Sequence, residues 1–250
     1  RERAAGVITH SSGNHAQGVA YAAQVLGVKA LVVMPEDASP YKKACARAYG
    51  AEVVDRGVTA ENREEVARAL QEETGYALIH PFDDPLVIAG QGTAGLELLA
   101  QAGRMGVFPE AVLAPVGGGG LLAGLATAVK ALSPTTLLLG VEPEVADDAR
   151  RSLEAGRLFR LEAPPRTRAD GVRTLSLGEH TFPILKEKAD GILVVSEEAI
   201  LEAERLLFTR TKQVVEPTGA LPLAAVREHG ARLPQTLALL LSGGNRDFSP

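Results

Sequence analysis

The chain has 250 residues, of which 46% are hydrophobic, and its formal net charge at pH 7 is −5. This is enough for a globular protein with a sizeable core, in one large or two modest domains. The negative charge without a basic cluster argues against a nucleic-acid partner, and no apolar run reaches membrane-spanning length. The single cysteine, Cys45, excludes an internal disulfide, and no signal peptide is recognisable, so we expect a cytoplasmic protein.

Strand and helix patterns alternate through the first 80 residues. Strands are predicted at 6–9, 30–34, 52–55 and 77–80, with helices at 14–26, 40–49 and 60–74 between them. Glycines 27, 50 and 75 follow the helices, as C-terminal capping glycines do. Such alternation is typical of right-handed βαβ units and a parallel sheet, so residues 1–80 are predicted to form a small α/β domain.

A segment with two prolines, Pro81 and Pro85, then interrupts the pattern and marks a domain boundary. After it, strands are predicted at 111–116, 137–142, 192–195 and 237–241, with helices at 86–104, 121–132, 147–155, 197–211 and 218–228. Residues 81–250 are therefore expected to form a larger α/β domain. Two open parallel-sheet domains would place a ligand in the cleft that the carboxyl ends of their strands face.

Four consecutive glycines, Gly117 to Gly120, separate a predicted strand from a predicted helix. Glycine costs backbone entropy, so a run of four indicates positive φ or a close approach of the backbone to another group. Unpaired N–H groups at a helix N-terminus bind anions, and a phosphate is the expected ligand. The alternative is a tight turn without a ligand.

Polar turns follow two other predicted strands. Ser11-Ser12-Gly13-Asn14-His15 places hydroxyl, amide and imidazole groups at the start of a helix, although a serine there can also be an ordinary N-cap. Ser242-Gly243-Gly244-Asn245 follows the last strand and can also be a plain turn at the sheet edge.

Acidic residues follow the strand after the glycines. Glu142, Asp147 and Asp148 can supply oxygen ligands to a hard divalent cation, or Asp147 and Asp148 can cap a helix. A dinucleotide site is a further alternative, because Gly118-x-Gly120-x-x-Ala123 fits the loose glycine fingerprint and Glu142 stands near the position of a ribose-binding acid. That alternative leaves the Ser11–His15 and Ser242–Asn245 turns unexplained.

These motifs, with Ala169-Asp170-Gly171-Val172 and Glu216-Pro217-Thr218, occur in the order and approximate spacing of one enzyme family. The chain resembles the pyridoxal-phosphate enzymes of the tryptophan-synthase β fold type, fold type II, in the serine racemase and catabolic threonine dehydratase branch. The resemblance covers nearly the whole chain and implies pyridoxal 5′-phosphate as the cofactor.

The resemblance also implies roles for individual residues. The cofactor phosphate would be bound by Gly117, Gly118, Gly119 and Gly120, the ring oxygen by Asn14 and the pyridine nitrogen by Ser242, with Glu216 shaping the pocket. The substrate carboxylate would be held by Ser11, Asn14 and His15, with Arg63, Asp170 and Thr174 as further candidates near the substrate. Glu142, the Ala146 carbonyl and Asp148 would bind Mg²⁺ or Ca²⁺ away from the chemistry.

The family's Schiff-base lysine has no counterpart in this sequence, since no lysine here lies in a Ser-Phe-Lys-x-Arg-Gly type segment upstream of Ser11. We expect an N-terminal segment that carries it; a non-catalytic cofactor-binding relative is the alternative. With five residues after Asn245, no appended regulatory domain is expected.

The resemblance implies a dehydratase that converts L-threonine or L-serine into a 2-oxo acid and ammonia, as a homodimer. Serine racemase is the alternative, because the Ser12 hydroxyl would serve as a second acid/base on the opposite face of the substrate. The expected partner is a small hydroxy amino acid, with no nucleic acid and no membrane.

Overall fold

The computed structural model describes residues 5–246. They fall into two compact units, an N-terminal unit that ends at Pro81 and a C-terminal unit that runs from Phe82 to Arg246. No helix among the described residues is both long enough and apolar enough to cross a membrane.

The N-terminal unit is a four-stranded parallel sheet with the strand order β3-β2-β1-β4. Apolar side chains pack on both of its faces, with Val32 and Ala20 in one cluster and Ile8 and Val33 in the other. Its elements are β1 Gly6–His10, α1 Asn14–Leu26, β2 Lys29–Val33, α2 Pro40–Ala48, β3 Glu52–Val54, α3 Arg63–Thr74 and β4 Ala77–Leu78.

The C-terminal unit has a second parallel sheet, in the order β7-β6-β5-β8, also covered on both faces. Its strands are fully buried at the centre, where all five residues of β5 are inaccessible to solvent or nearly so. Its elements are α4 Pro85–Arg104, β5 Ala111–Pro115, α5 Gly120–Leu132, β6 Leu137–Pro143, α6 Asp148–Ala155, α7 Thr181–Lys188, β7 Gly191–Val195, α8 Glu197–Leu206, α9 Pro217–His229 and β8 Leu237–Leu239.

Each sheet reverses its strand order at one point, between β1 and β4 in the first and between β5 and β8 in the second. In open α/β sheets the crevice at the carboxyl ends of two such strands is where ligands bind. Pairing of Ile8 with Leu78, and of Leu113 with Leu239, brings the residues after these strands together.

The predicted fold class, two parallel α/β sheets, is confirmed, and glycines 27, 50 and 75 all have positive φ. Helix α7 was not predicted, since it is only eight residues long and has Pro183 in its first turn. The predicted helix 197–211 is α-helical only to Leu206 and continues as a π-helical turn, Leu207–Thr211, which ends at Lys212 with φ 61°.

Candidate active site

The turn between β5 and α5 presents backbone rather than side chains. Gly119 is the N-cap residue of α5 and has φ 93°, a conformation that favours glycine. Within residues 5–246, the N–H groups of Gly117, Gly118, Gly119 and Gly120 donate no hydrogen bond. Four free donors at the positive end of a helix dipole form an anion site.

The other side of this glycine loop is closely packed against protein. Thr181 Oγ1 donates to the Gly118 carbonyl oxygen at 2.7 Å. A Cβ atom on Gly118 would lie 2.4 Å from the Phe82 ring, and one on Gly119 would lie 2.8 Å from Thr181 Oγ1. The glycines therefore let the chain pack tightly on one side and leave the N–H groups available on the other.

The start of α7 supports this packing. Asp83 accepts hydrogen bonds from the backbone N–H groups of Glu179, at 3.0 Å, and His180, at 2.8 Å. It also accepts from the Thr181 N–H at 3.3 Å, a first-turn donor of α7 that has no partner within the helix. Phe82, Asp83 and Thr181 were not predicted as parts of the site, because nothing in the local pattern shows that α7 returns to the glycine loop.

Two residues predicted to contact the substrate, Thr174 and Asp170, lie in a segment that packs against the glycine loop. A Cβ on Gly117 would meet Val172 Cα at 3.0 Å and Thr174 Oγ1 at 3.4 Å. The Thr174 hydroxyl is buried, with no hydrogen-bond partner among the described residues. Asp170 begins the short 3-10 turn that contains Val172. A buried hydroxyl of this kind is suited to an oxygen-rich ligand.

Glu216 and Ser242 are connected through the backbone. Glu216 is 1% exposed and is the N-cap residue of α9, and its N–H donates to the Gly243 carbonyl oxygen at 3.0 Å. Ser242 is an exposed residue three positions after β8, the strand that pairs with β5. The structure therefore brings Ser242 to the same edge of the sheet as the glycine loop.

In the N-terminal unit, the turn after β1 uses its serines differently from a helix cap. Gly13 is the N-cap residue of α1, so the interpretation of Ser12 as an N-cap is wrong. The Ser11 hydroxyl accepts from the Gly13 N–H at 3.3 Å, and the Ser12 hydroxyl accepts from Arg63 Nη1 at 3.0 Å. Two predicted residues far apart in sequence, Ser12 and Arg63, are thus in direct contact.

Asn14 and His15 open α1. Asn14 is exposed, whereas the His15 ring is half-buried, with Nε2 at 3.3 Å from the Ile79 carbonyl oxygen. Burial is the main cause that lowers the pKa of His15 below its usual value, and His80 adds to it. The ring is therefore neutral at pH 7, with Nε2–H donating to Ile79 in the matching tautomer.

Three further polar residues of this unit were not predicted. His10, Glu64 and His80 form the only group of three potential metal ligands found among residues 5–246. Burial, followed by the nearby His80, lowers the pKa of His10 to about 3. The available signal was the strand register, since His10 and His80 each stand two residues after the paired Ile8 and Leu78.

The predicted cation ligands lie at the end of β6. The Glu142 carboxylate accepts from the N–H groups of Ala149, at 3.1 Å, and Arg150, at 2.9 Å. Glu142 therefore caps the start of α6 from outside the helix. Asp147 is the N-cap residue of α6 but makes no side-chain capping bond, so the interpretation of Asp147 as a capping acid is wrong. Asp147 is instead paired with Arg150 and Arg151.

Glu142 and Asp148 are strongly buried, at 1% and 2% exposure. Burial, with a smaller contribution from Asp148, raises the pKa of Glu142 to about 9, and burial raises the pKa of Asp148 to about 7. Within the described part of the chain Asp148 Oδ2 has no hydrogen-bond partner. Ala146, also buried, lies between them in sequence.

Comparison with known proteins adds a family to this geometry. A family model described as pyridoxal-phosphate dependent enzyme matches residues 1–243. The chain is 46% identical over 248 residues to an L-threo-3-hydroxyaspartate ammonia-lyase from Pseudomonas sp., covering 99% of this chain and 76% of the relative. It is 42% identical to human serine racemase over 247 residues, covering 97% of this chain and 71% of that protein.

A solved structure is also similar. The crystal structure of a threonine deaminase from T.th. matches with a TM-score of 0.97 and 90% sequence identity, covering 100% of this chain and 80% of that one. These relatives include both kinds of activity that the sequence resemblance implied, ammonia-lyase and racemase. With a family match over nearly its full length, two parallel sheets and a free glycine loop at one switch point, the chain belongs to the pyridoxal-phosphate dependent enzymes, fold type II.

Proposed function

We propose that this chain is the main part of a threonine ammonia-lyase, which converts L-threonine into 2-oxobutyrate and ammonia and also acts on L-serine. The family match supports a pyridoxal-phosphate enzyme, and the 90% identity to a threonine deaminase supports this substrate. The observation that carries the proposal is the glycine loop, with four free N–H groups beside the buried Thr174 hydroxyl.

The residues fit the cofactor's phosphate. The N–H groups of Gly117–Gly120 would donate to its oxygens, and the loop carries no side chains, since a Cβ on Gly118, Gly119 or Gly120 would collide with Phe82 or Thr181. Ser242 would face the pyridine nitrogen, Asn14 would bind the ring oxygen, and Glu216 would border the pocket. When bound, pyridoxal phosphate supplies an electron sink for the carbanion formed at the substrate Cα.

The substrate is oriented by the turn after β1. Ser11, Asn14 and the first-turn N–H groups of α1, His15 included, donate to its carboxylate, while the neutral His15 ring keeps its one N–H on the Ile79 carbonyl oxygen. Arg63 adds positive charge next to the Ser12 hydroxyl. Asp170 and Thr174 line the substrate side of the glycine loop. No lysine of this sequence is assigned to the Schiff base.

The direct test is an assay of the full-length protein, purified with pyridoxal phosphate, for 2-oxobutyrate from L-threonine. We expect keto-acid formation in step with ammonia release. Bound cofactor with neither product would reject the ammonia-lyase and would favour the non-catalytic cofactor-binding relative.

Serine racemase is the second candidate, and one contact favours it. The Arg63 guanidinium donates to the Ser12 hydroxyl, and a nearby positive charge stabilises the alkoxide form that a base requires. Ser12 would then exchange a proton with Cα on the face opposite the lysine. Chiral chromatography of L-serine after incubation tests this, and unchanged enantiomeric purity during pyruvate release would exclude racemisation.

A divalent cation, Mg²⁺ or Ca²⁺, is proposed at Glu142, the Ala146 carbonyl oxygen and Asp148. Hard cations prefer such all-oxygen ligands. Two carboxyls buried together disfavour ionisation, as their raised pKa values indicate, and a cation would compensate their charge. The role is structural and activating.

We also propose a cytoplasmic homodimer. The segment after α4 exposes apolar residues, with Met105 at 76% and Phe108 at 79% exposure, which a second copy of the chain would cover. Sedimentation of the parent and of Phe108→Ser tests the assembly. A monomeric parent protein would reject it.

A further inference from the structure

A cluster of metal-binding side chains lies at the switch point of the N-terminal sheet and has no role in the function proposed above. His10 ends β1, and His80 stands two residues after β4, which pairs with β1 in parallel. Glu64 is in the first turn of α3, which follows β3. Because the carboxyl ends of parallel strands and the N-termini of the following helices meet at one edge of the sheet, the three residues converge there.

His10 is the most informative of the three. His10 is only 3% exposed, and neither Nδ1 nor Nε2 of its ring has a hydrogen-bond partner among residues 5–246. Its ring meets the His80 ring edge to face, with centroids 5.1 Å apart and planes at 83°. A buried polar ring with two unpaired nitrogens is costly to maintain, which indicates a ligand at this point.

The spacing is suitable for a small ion. One ligand atom each from His10, Glu64 and His80 lie within 4.8 Å of one another. In a tetrahedral zinc site with bonds of about 2.0–2.2 Å, ligand atoms are roughly 3.5 Å apart, so modest side-chain rotation would close the group.

Glu64 is free to make this rotation. Its carboxylate is paired with Arg68 at 2.9 Å in an exposed contact between adjacent turns of α3, with side chains 48% and 61% exposed. Exposed ion pairs of this type contribute little stability, so exchanging Arg68 for a metal ion costs little.

We propose that His10, Glu64 and His80 form a binding site for Zn²⁺ or a similar borderline divalent ion, with a fourth coordination position left for water or a small anion. Two imidazoles and one carboxylate match zinc sites that keep an open position. The same set disfavours Mg²⁺ and Ca²⁺, which prefer oxygen ligands. The site is therefore chemically different from the all-oxygen site proposed at Glu142 and Asp148.

The position of this zinc site links it to the turn after β1. His10 directly precedes Ser11, and Glu64 directly follows Arg63, whose guanidinium donates to Ser12. An ion held between His10 and Glu64 would restrain both ends of the Ser12–Arg63 hydrogen bond. The zinc proposal does not depend on the proposed reaction, because binding is measured without turnover.

The experiment is a calorimetric titration of chelator-treated holoenzyme with Zn²⁺. The buffer contains excess Mg²⁺, which fills any all-oxygen site. We expect one zinc ion per chain. Glu64→Gln and His80→Asn should weaken this binding at least about tenfold, since replacing even a residue that only supports a metal ligand lowers metal affinity about 10–100-fold. Both variants avoid the buried His10, whose replacement risks the fold.

Glu65→Gln is the matched control, because Glu65 is an exposed acid on the same turn of α3 but outside the cluster. Parent-like zinc binding by this control supports the proposal. Absence of zinc binding by the parent, equal binding by Glu64→Gln and the parent, or equal losses in Glu64→Gln and Glu65→Gln would each overturn it. Co²⁺ provides a second readout, since tetrahedral coordination gives visible absorption bands that Glu64→Gln should lose.

Discussion

The two units share one strand order, with the first strand of each at the centre and the last strand beside it, yet the turns after their first strands differ in chemistry. After β1 the turn carries Ser11, Ser12, Asn14 and His15, and its Gly13 has an extended φ of −171°. After β5 the turn is four glycines, with Gly119 at φ 93°. One topology thus presents side chains in the first unit and bare backbone in the second.

The difference separates two tasks of a binding site. Backbone N–H groups bind a phosphate with fixed geometry and little selectivity for what carries it. Hydroxyl, amide and imidazole groups can distinguish substrates and exchange protons. Changes to the first turn are therefore expected to alter substrate affinity and reaction outcome, whereas changes to the second should alter cofactor affinity and stability.

The largest expected effect is that of a substitution in the turn after β1, which presents side chains. Ser12→Ala should reduce interconversion of L- and D-serine about 100-fold or more, because a positioned acid/base contributes at least this factor. Elimination from L-threonine should persist, and stability should change little, since Ser12 does not cap α1. Chiral chromatography and keto-acid assays measure the two reactions.

Ser11→Ala is the comparison for that experiment, because its hydroxyl contacts the Gly13 N–H and not Arg63. It should leave the ratio of racemisation to elimination unchanged. Racemisation by Ser12→Ala at the parent rate would show that the Ser12 hydroxyl has only a structural role.

The next largest effect is expected from a substitution in the glycine loop after β5, which presents backbone N–H groups. Gly119→Ala should weaken pyridoxal-phosphate binding by about 10–100-fold and destabilise the protein by roughly 1–3 kcal/mol, because its φ is positive and its Cβ would lie 2.8 Å from Thr181 Oγ1. Spectroscopic cofactor titration and thermal unfolding measure both quantities.

Gly13→Ala is the matched change in the first turn. There φ is extended rather than left-handed, and the new Cβ would meet the Cδ atom of the Lys42 side chain at 3.0 Å, so a smaller loss of stability is expected. Equal losses in Gly13→Ala and Gly119→Ala would contradict the distinction between the two turns.

His15 should give an intermediate effect. His15→Ala is expected to raise KM for every amino acid substrate about tenfold, roughly 1.4 kcal/mol, with a smaller change in kcat, while His15→Gln keeps an N–H donor and recovers part of the loss. Because burial lowers the pKa of His15, the ring stays neutral and KM should show no inflection near pH 6.5. A KM that rises or falls through pH 6.5 in the parent but not in His15→Gln would be inconsistent with this.

The smallest effect concerns the cation site, which lies after β6 and in neither turn. At ten times their Kd, Mg²⁺ or Ca²⁺ should stabilise the fold by about 1.4 kcal/mol, a rise in Tm of a few degrees that chelation reverses. Asp148→Asn should abolish this rise, and Glu144→Gln, an exposed acid nearby, should retain it. If the Tm of the parent protein does not respond to either ion, the proposal of a cation site at Glu142 and Asp148 is rejected.

The sequence by itself determined the alternation of strands and helices, both turns after the central strands and the family, because periodicity, capping glycines and contiguous motifs are local properties of the chain. Element ends were less well determined, as in β4, predicted at 77–80 and found at Ala77–Leu78. Strand propensity does not show where ladder pairing stops.

Only the tertiary structure decided which distant residues meet. Arg63 with Ser12, Asp83 at the start of α7, Thr181 on Gly118, and His10 with Glu64 and His80 are all contacts between residues more than 50 positions apart. The contacts of the N-terminal unit follow from strand order and register, since its parallel sheet gathers the ends of β1, β3 and β4 at one edge while the chain between them is long. No local pattern carries that information, because it is set by the packing of the whole unit.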